Sequence, residues 1–342
     1  MMLDLHSIFA YLLSPLFAVA VIFIFPQVNP KKRALLYLLA FCPICIFAAL
    51  RGSVGTDTYN YRYFYDSYGT VKQADVDLLF SVFEGFCHWI GLSTQTFLAM
   101  QAGFCWFLFS LGAARIDKTL PVLGVGLLPT LMIESTFNTL RVGMAFAVAL
   151  LVIQVVDKKI NLRNVVLTFL PGLFHSSLLL LLVTKARKVW AIAIIVAITG
   201  ITAFIFSDAV KEFLGLKLFL YVDLEKPGMF SGAWPLFECL MLFFIAKKSK
   251  GSFAFGNNTY SLGLTLIAIS ILGVSFSYAF LRFLQIGLFL LAISVSRAAI
   301  IASKDAKIGL LFMGLMSCFN FLRLILGEGA ITSSPFLPFR FF

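Results

Sequence analysis

Charge is what this sequence has least of. Of its 342 residues only 13% are charged, against roughly 25% in an ordinary soluble domain. The whole chain holds 16 acidic residues and three histidines. So little polar surface cannot coat a water-soluble body, which excludes soluble dehydrogenases, nucleases and disulfide scaffolds. The sequence has no Walker loop, no GxGxxG after a strand, no GxSxG elbow and no His-rich cluster. The common cradles for nucleotide phosphate, the hydrolase nucleophile and a clustered-imidazole metal site are therefore missing. No stretch is long and polar enough for a separate soluble domain. No internal repeat of broken helices is visible, which weighs against an alternating-access transporter.

What the chain does have is apolar length: 61% hydrophobic residues, 15% aromatic, and a mean hydropathy of +0.97. A helical crossing takes about 20 residues, so the expected fold is all-α, a polytopic integral membrane protein forming one transmembrane domain over residues 1–342. The apolar run from Ser7 to Phe25 has no basic region before it, and Lys31-Lys32-Arg33 follow it. That order predicts a retained first span rather than a cleaved signal peptide. All six cysteines lie in apolar stretches. Cys42-Pro43-Ile44-Cys45 has metal-motif spacing but no second pair, so helix packing is its expected role. No metal, cofactor or nucleic acid is expected.

Full spans are predicted near 7–26, 34–50, 94–114, 120–136, 138–156, 189–206, 229–246, 259–276, 278–296 and 308–326. The apolar stretches 77–91 and 164–184 are ambiguous. The clusters Lys31/Lys32/Arg33, Arg115/Lys118, Lys158/Lys159/Arg163, Lys185/Arg187/Lys188, Lys247/Lys248/Lys250 and Arg297/Lys304/Lys307 fall on one side if neither stretch crosses. Only Asp117, Asp157 and Asp305 join them there. This is a strong positive-inside pattern. It predicts about ten full transmembrane helices plus two re-entrant or in-plane helices, with both termini outside. Residues 51–76 and 207–228 become outer loops. Pro171-Gly172 is expected to break 164–184 midway, because backbone broken at membrane depth must be buried in protein or line a wet cavity.

The basic residues left on the outer side include Arg51, Arg62, Arg141, Arg282 and Arg323. Arg141, Arg282 and Arg323 sit within or at the outer ends of apolar helices, and Arg51 closes the second span. An arginine at membrane depth costs at least about 2.5–3.5 kcal/mol, so it normally faces a cavity or a partner. Its planar fork grips phosphate oxygens in pairs and keeps its charge. The set points to an anionic lipid headgroup, pyrophosphate above all. Salt bridges, snorkelling and topology signalling are the plainer readings of any single one.

The loop after the second span reads Arg51-Gly52-Ser53-Val54-Gly55-Thr56-Asp57-Thr58-Tyr59-Asn60-Tyr61-Arg62. Five of the ten tyrosines (Tyr59, Tyr61, Tyr63, Tyr65 and Tyr68) fall in this loop. Tyrosine suits both a membrane interface and stacking on a sugar; Asp57, Asn60 and Arg62 beside them favour a site. His175 follows the Pro171-Gly172 pair and is a candidate to take the proton of an attacking hydroxyl; a structural histidine is the alternative. Glu84 and His88, four residues apart, form a second acid/base pair, with an intramembrane hydrogen bond as the plainer reading.

These residues fall into a recognisable pattern. Arg51-Gly52-Ser53-Val54-Gly55-Thr56-Asp57-Thr58-Tyr59-Asn60-Tyr61 resembles the R-x₃-GTD-x-x-NY signature of the EpsG family, Wzy-like polymerases of bacterial exopolysaccharide and O-antigen synthesis. Asp77-Leu78-Leu79-Phe80 stands where that family tends to have Glu-Pro-x-Phe, matching the acid and not the proline. Asn138-Thr139-Leu140-Arg141 looks like its N-x-x-R helix start, and Phe174-His175-Ser176-Ser177 like its FH-x-S motif. Ser334-Pro335-Phe336-Leu337-Pro338-Phe339 is similar to its Pro-rich ending.

The resemblance implies a glycosyltransferase of the bacterial inner membrane that polymerises undecaprenyl-pyrophosphate-linked oligosaccharides on the periplasmic side. Such polymerases are associated with a chain-length-regulating co-polymerase. Joined to the residue reading, it makes His175, Asp57, Arg141 and Arg51 the expected catalytic residues. Arg282, Arg62, Arg323, Tyr59, Asn60, Tyr61 and Asn138 are expected to bind substrate. A flippase for lipid-linked oligosaccharide, an O-antigen ligase-like transferase and a structural subunit of an export complex are the alternatives.

Overall fold

The computed structural model describes residues 5–24, 30–52, 54–55, 57–69, 77–117, 122–126, 132–156, 162–185, 233–248, 258–273, 279–298 and 304–326. Among these it is helical, with no extended sheet. In chain order the elements are α1 (Leu5–Ile24), α2 (Pro30–Ala49), α3 (Thr58–Asp66), α4 (Leu78–Trp89), α5 (Thr94–Ile116), α6 (Val122–Gly126), α7 (Glu134–Phe137), α8 (Leu140–Val156) and α9 (Leu162–Phe174). A 3₁₀ helix (Ser176–Lys185), α10 (Ala233–Lys248), α11 (Asn258–Gly273), α12 (Ala279–Ala298) and α13 (Lys304–Leu326) complete them. The expected span 189–206, the outer loop 207–228 and the Pro-rich ending lie outside the described residues.

Among the described residues, three helices are long and apolar enough to cross a membrane: Lys32–Ala49, Thr94–Ile116 and Phe280–Arg297. Shorter apolar helices cover Tyr11–Phe23, Leu140–Ile153, Leu162–Phe174 and Thr259–Leu272. The membrane class is therefore clear, while the count of ten full spans is an expectation from charge. At 12 residues, α4 is about 18 Å long, short of the roughly 30 Å hydrocarbon core.

Helix packing follows the small residues. α2 lies along α5, α5 along α8 and α8 along α9, while α10, α11 and α13 gather around α12 or its neighbours. Phe146 of α8 meets Phe289 of α12 at 4.8 Å between ring centroids. α11 and α12 approach through Gly263 and Gly287: a Cβ on Gly287 would stand 2.7 Å from Ile267 Cγ1 and 2.9 Å from the Gly263 carbonyl. Where lipid tails remove the hydrophobic drive between helices, such close contact is the main source of attraction.

Of the span expected at 120–136 the structure describes the five-residue α6 and the four-residue α7, which a π-helical turn at Met132–Ile133 opens; the residues between them lie outside the described ones. Two expectations are corrected. Asp117, counted by sequence among the acids of cytoplasmic loops, is buried. Its carboxylate accepts from the Tyr37 hydroxyl at 2.6 Å and from the Leu123 and Gly124 amides at 3.0 Å, tying α2, α5 and α6 together. Burial pushes this carboxyl up to about 6 in spite of those donors.

The second correction concerns the break in 164–184. Pro171 and Gly172 stay inside α9, and the helix ends at Phe174. The turn comes at His175, whose amide bonds back to the Pro171 carbonyl at 3.1 Å while its own carbonyl accepts from Leu178 at 3.0 Å. A Cβ on Gly172 would stand 2.6 Å from Leu179 Cγ. Seven residues of straight α-helix would separate these positions by about 10 Å, so the chain folds sharply back. Proline weakens the helix one turn before its end, but the glycine is needed for the close return, and the residue that bends is the histidine.

Candidate functional site

The loop between α2 and α3 docks on the junction of α7 and α8. Gly55 has φ +111°, a conformation that favours glycine. A Cβ there would press on the Phe137 carbonyl, stand 2.7 Å from Thr58 Oγ1 and 3.1 Å from Asn138 Oδ1. Thr58 is buried and its hydroxyl donates to the Val54 carbonyl at 2.6 Å. Thus the segment Val54–Thr58 and the segment Phe137–Asn138, separate motifs in sequence, form one packed unit.

Arg51 lies beneath this unit with no exposed surface. Its Nη1 donates to the Thr136 carbonyl, and its guanidinium carbon sits 5.7 Å from the centre of the Phe137 ring. Among the described residues, Nε and Nη2 are buried without a hydrogen-bond partner. The described ionisable groups that act on it are Tyr61, Tyr11, Arg62 and Cys105, none of them a carboxylate, and burial pushes the guanidinium down to about 10. It stays charged at neutral pH, with no opposite charge beside it among the described residues.

Arg62, one helical turn after Thr58, donates to the Gly52 carbonyl at 3.0 Å and to Gln95 Oε1 at 2.6 Å. Gln95 in turn donates to the carbonyls of Ala49 and Arg51, at 2.7 and 2.9 Å. This glutamine on the first turn of α5 anchors the whole loop. Sequence reading missed it; a lone polar residue opening an apolar helix was the available signal.

A second group gathers at the start of α8. Arg141 Nη1 lies 3.7 Å from Asp77 Oδ2. Tyr61 receives hydrogen bonds from both the side chain and the main chain of Arg141 and also feels the charge of Asp57. Tyr61 also packs on Phe80 of α4, ring centroids 5.9 Å apart. Asp77 Oδ1 accepts the Ser176 amide at 3.0 Å. The Ser177 amide donates to His175 Nδ1 at 3.3 Å, with Ser177 Oγ 2.7 Å from the same nitrogen. An amide donor on Nδ1 requires its lone pair, so the neutral ring carries its proton on Nε2 and acts there as a donor.

Tyr59 and Asn60 are exposed on the outer face of α3. Arg282 donates to Gln285 on its own helix at 2.8 Å, and Arg323 belongs to α13. His88 stacks on Tyr68 with centroids 4.9 Å apart, while Glu84 is buried.

Removing the charge of Arg51 separates its possible roles. A buried, unpaired ion costs several kcal/mol, and an apolar replacement of similar volume is often neutral or stabilising by about 1–4 kcal/mol. Arg51→Met is expected to melt at the same or a higher temperature than the parent in detergent, while its polysaccharide product shortens. A clear drop in melting temperature would assign Arg51 to the fold alone.

In a helical membrane protein, arginine, carboxylate and imidazole groups are thus collected at one set of helix ends. The particular family is given by a model that matches residues 34–341, that of the EpsG family. The chain belongs to the EpsG family, whose members are Wzy-like polysaccharide polymerase-type proteins. No curated protein and no solved structure matches it.

Proposed function

We propose that the protein joins undecaprenyl-pyrophosphate-linked oligosaccharide repeat units into polysaccharide at the outer face of the bacterial inner membrane. The observation that carries this reading is the meeting of Arg141, Tyr61, Asp77 and the His175 turn at the N-terminus of α8. A helix N-terminus presents amide donors and a positive dipole to an anion, and the arginine adds a fixed cation. In the reaction, an acceptor sugar hydroxyl attacks the anomeric carbon of the donor repeat. The bond from that carbon to pyrophosphate breaks, and its electron pair leaves on the pyrophosphate oxygen.

Arg141 stabilises that developing charge, with guanidinium in the place a metal ion takes elsewhere. Arg51 and Arg62 hold the loop and add positive potential behind it. A pyrophosphate could touch Arg51 only after a local rearrangement, because Arg51 is fully covered. The acceptor proton goes to a base. Asp57, electrostatically coupled to Tyr61, suits that role better than His175, whose neutral imidazole is set up to donate a hydrogen bond. His175 then donates a hydrogen bond to the leaving oxygen. Tyr59, Asn60 and the tyrosines beside them offer faces and tips for sugars, and a chain-length-regulating co-polymerase is the expected partner.

Deleting the gene and restoring it on a plasmid tests the reading. A polymerase predicts single repeat units still displayed at the cell surface without it, and a full ladder of lengths on a gel after restoration. Loss of all surface display would replace the polymerase by a flippase.

A further inference from the structure

Asp77 has a part in this site that its sequence position does not announce. An aspartate at a helix N-cap ordinarily accepts an amide of its own first turn. Asp77 occupies that place on α4, with extended backbone at φ −66° and ψ 115°, yet makes no cap bond with its side chain. The carboxylate instead reaches 99 positions along the chain to the Ser176 amide through Oδ1, and towards Arg141 through Oδ2. Only 11% of its side chain is exposed, against 32% for Arg141.

Three elements thus meet on one carboxylate: the start of α4, the start of α8 and the turn that carries His175. The Ser176 amide it holds lies between His175 and Ser177, whose own amide fixes the imidazole tautomer. We propose that Asp77 is a positioning residue: one oxygen aims the Arg141 guanidinium, the other sets the His175 turn, and so a single carboxylate places the anion-binding group and the imidazole hydrogen-bond donor relative to each other. This rests on the polymerase reading for its function but not for its geometry.

The sign of an affinity change tests it. Deleting a carboxylate near an anion site should tighten anion binding by simple Coulomb attraction. Loss of a positioning contact should weaken it, since small misplacements of a binding group are costly. With the full-length protein in nanodiscs and inorganic pyrophosphate as the probe, Asp77→Ala is expected to weaken binding at least about tenfold, Asp77→Asn to do so part-way, and Asp77→Glu to recover most of it. The effect is expected to vanish in an Arg141→Gln background. Tighter or unchanged binding in Asp77→Ala, or an equal loss with and without Arg141, overturns the proposal.

A second measurement needs no ligand. In a His6→Gln, His88→Gln background the single remaining histidine gives one set of nitrogen NMR signals. A neutral ring protonated on Nε2 is expected, turning to a tautomer mixture in Asp77→Asn, with melting temperatures showing that both proteins are folded. An unchanged tautomer overturns the proposal. If no pyrophosphate binds to the parent while the tautomer does respond, the placement stands and the polymerase reading fails.

Discussion

Arg141→Ala is expected to abolish long polymer at normal expression, with only single repeats left on the gel. The reason is its position. It is the second residue of α8, where the amides of the first turn have no helical partners. Its guanidinium is partly exposed and is held towards Asp77 and Tyr61, so a ligand can reach it without loop movement. Removing one preorganised donor to developing charge costs about 10²–10³ in rate. Arg141→Lys keeps the charge and loses the planar fork, so shortened polymer rather than none is expected. The melting temperature should move little in either variant, because the side chain is not part of the packed core. Full-length polymer from both, at matched expression, would remove Arg141 from the site.

Gly55 is expected to be the least replaceable residue of the loop. Gly55→Ala introduces a side chain at φ +111° and drives it into the main-chain carbonyl of Phe137, which α7 holds in place. Backbone strain of this kind costs about 1–3 kcal/mol, and forced contact with a fixed neighbour adds about 1–3 kcal/mol more. The cheapest relief is to lift the loop, which uncovers Arg51 and releases Thr58 from Val54. Loss of polymer together with faster protease cleavage within residues 52–57 is the expected result. Gly69→Ala is the control: its φ is +80° but nothing stands within 4 Å of a new Cβ, so only the conformational cost should appear. Equal, mild behaviour of the two variants would contradict the docking of the loop on α7.

Much of this molecule was readable from residues alone, and the places where reading stopped have a common cause. Apolar runs located α1, α2, α5, α8 and α10 to α13 within a few residues, since a helix in a membrane needs length and hydropathy and little else. The motif residues Arg51, Asp57, Arg141 and His175 were all visible as polar groups where polarity is costly. The tyrosine-rich stretch was expected as a loop, yet Thr58–Asp66 is helical. Its period matters because it turns Tyr61 and Arg62 inwards while Tyr59 and Asn60 face out. The break at 164–184 was assigned to proline and glycine, although the bend falls on the histidine that follows them.

By itself the sequence determined the class, the side of the membrane expected for each charge, and the family, because these depend on composition and on order along the chain. Partnership was decided by the tertiary structure. Nothing local says that Asp77 reaches Ser176, that Arg51 reaches a carbonyl 85 positions away, or that Arg282 turns to its own helix. Periodicity reports which face of a helix is apolar; it does not report which other helix meets that face. In a protein so poor in charge, that meeting separates an arginine sealed beneath a loop from one a substrate can touch.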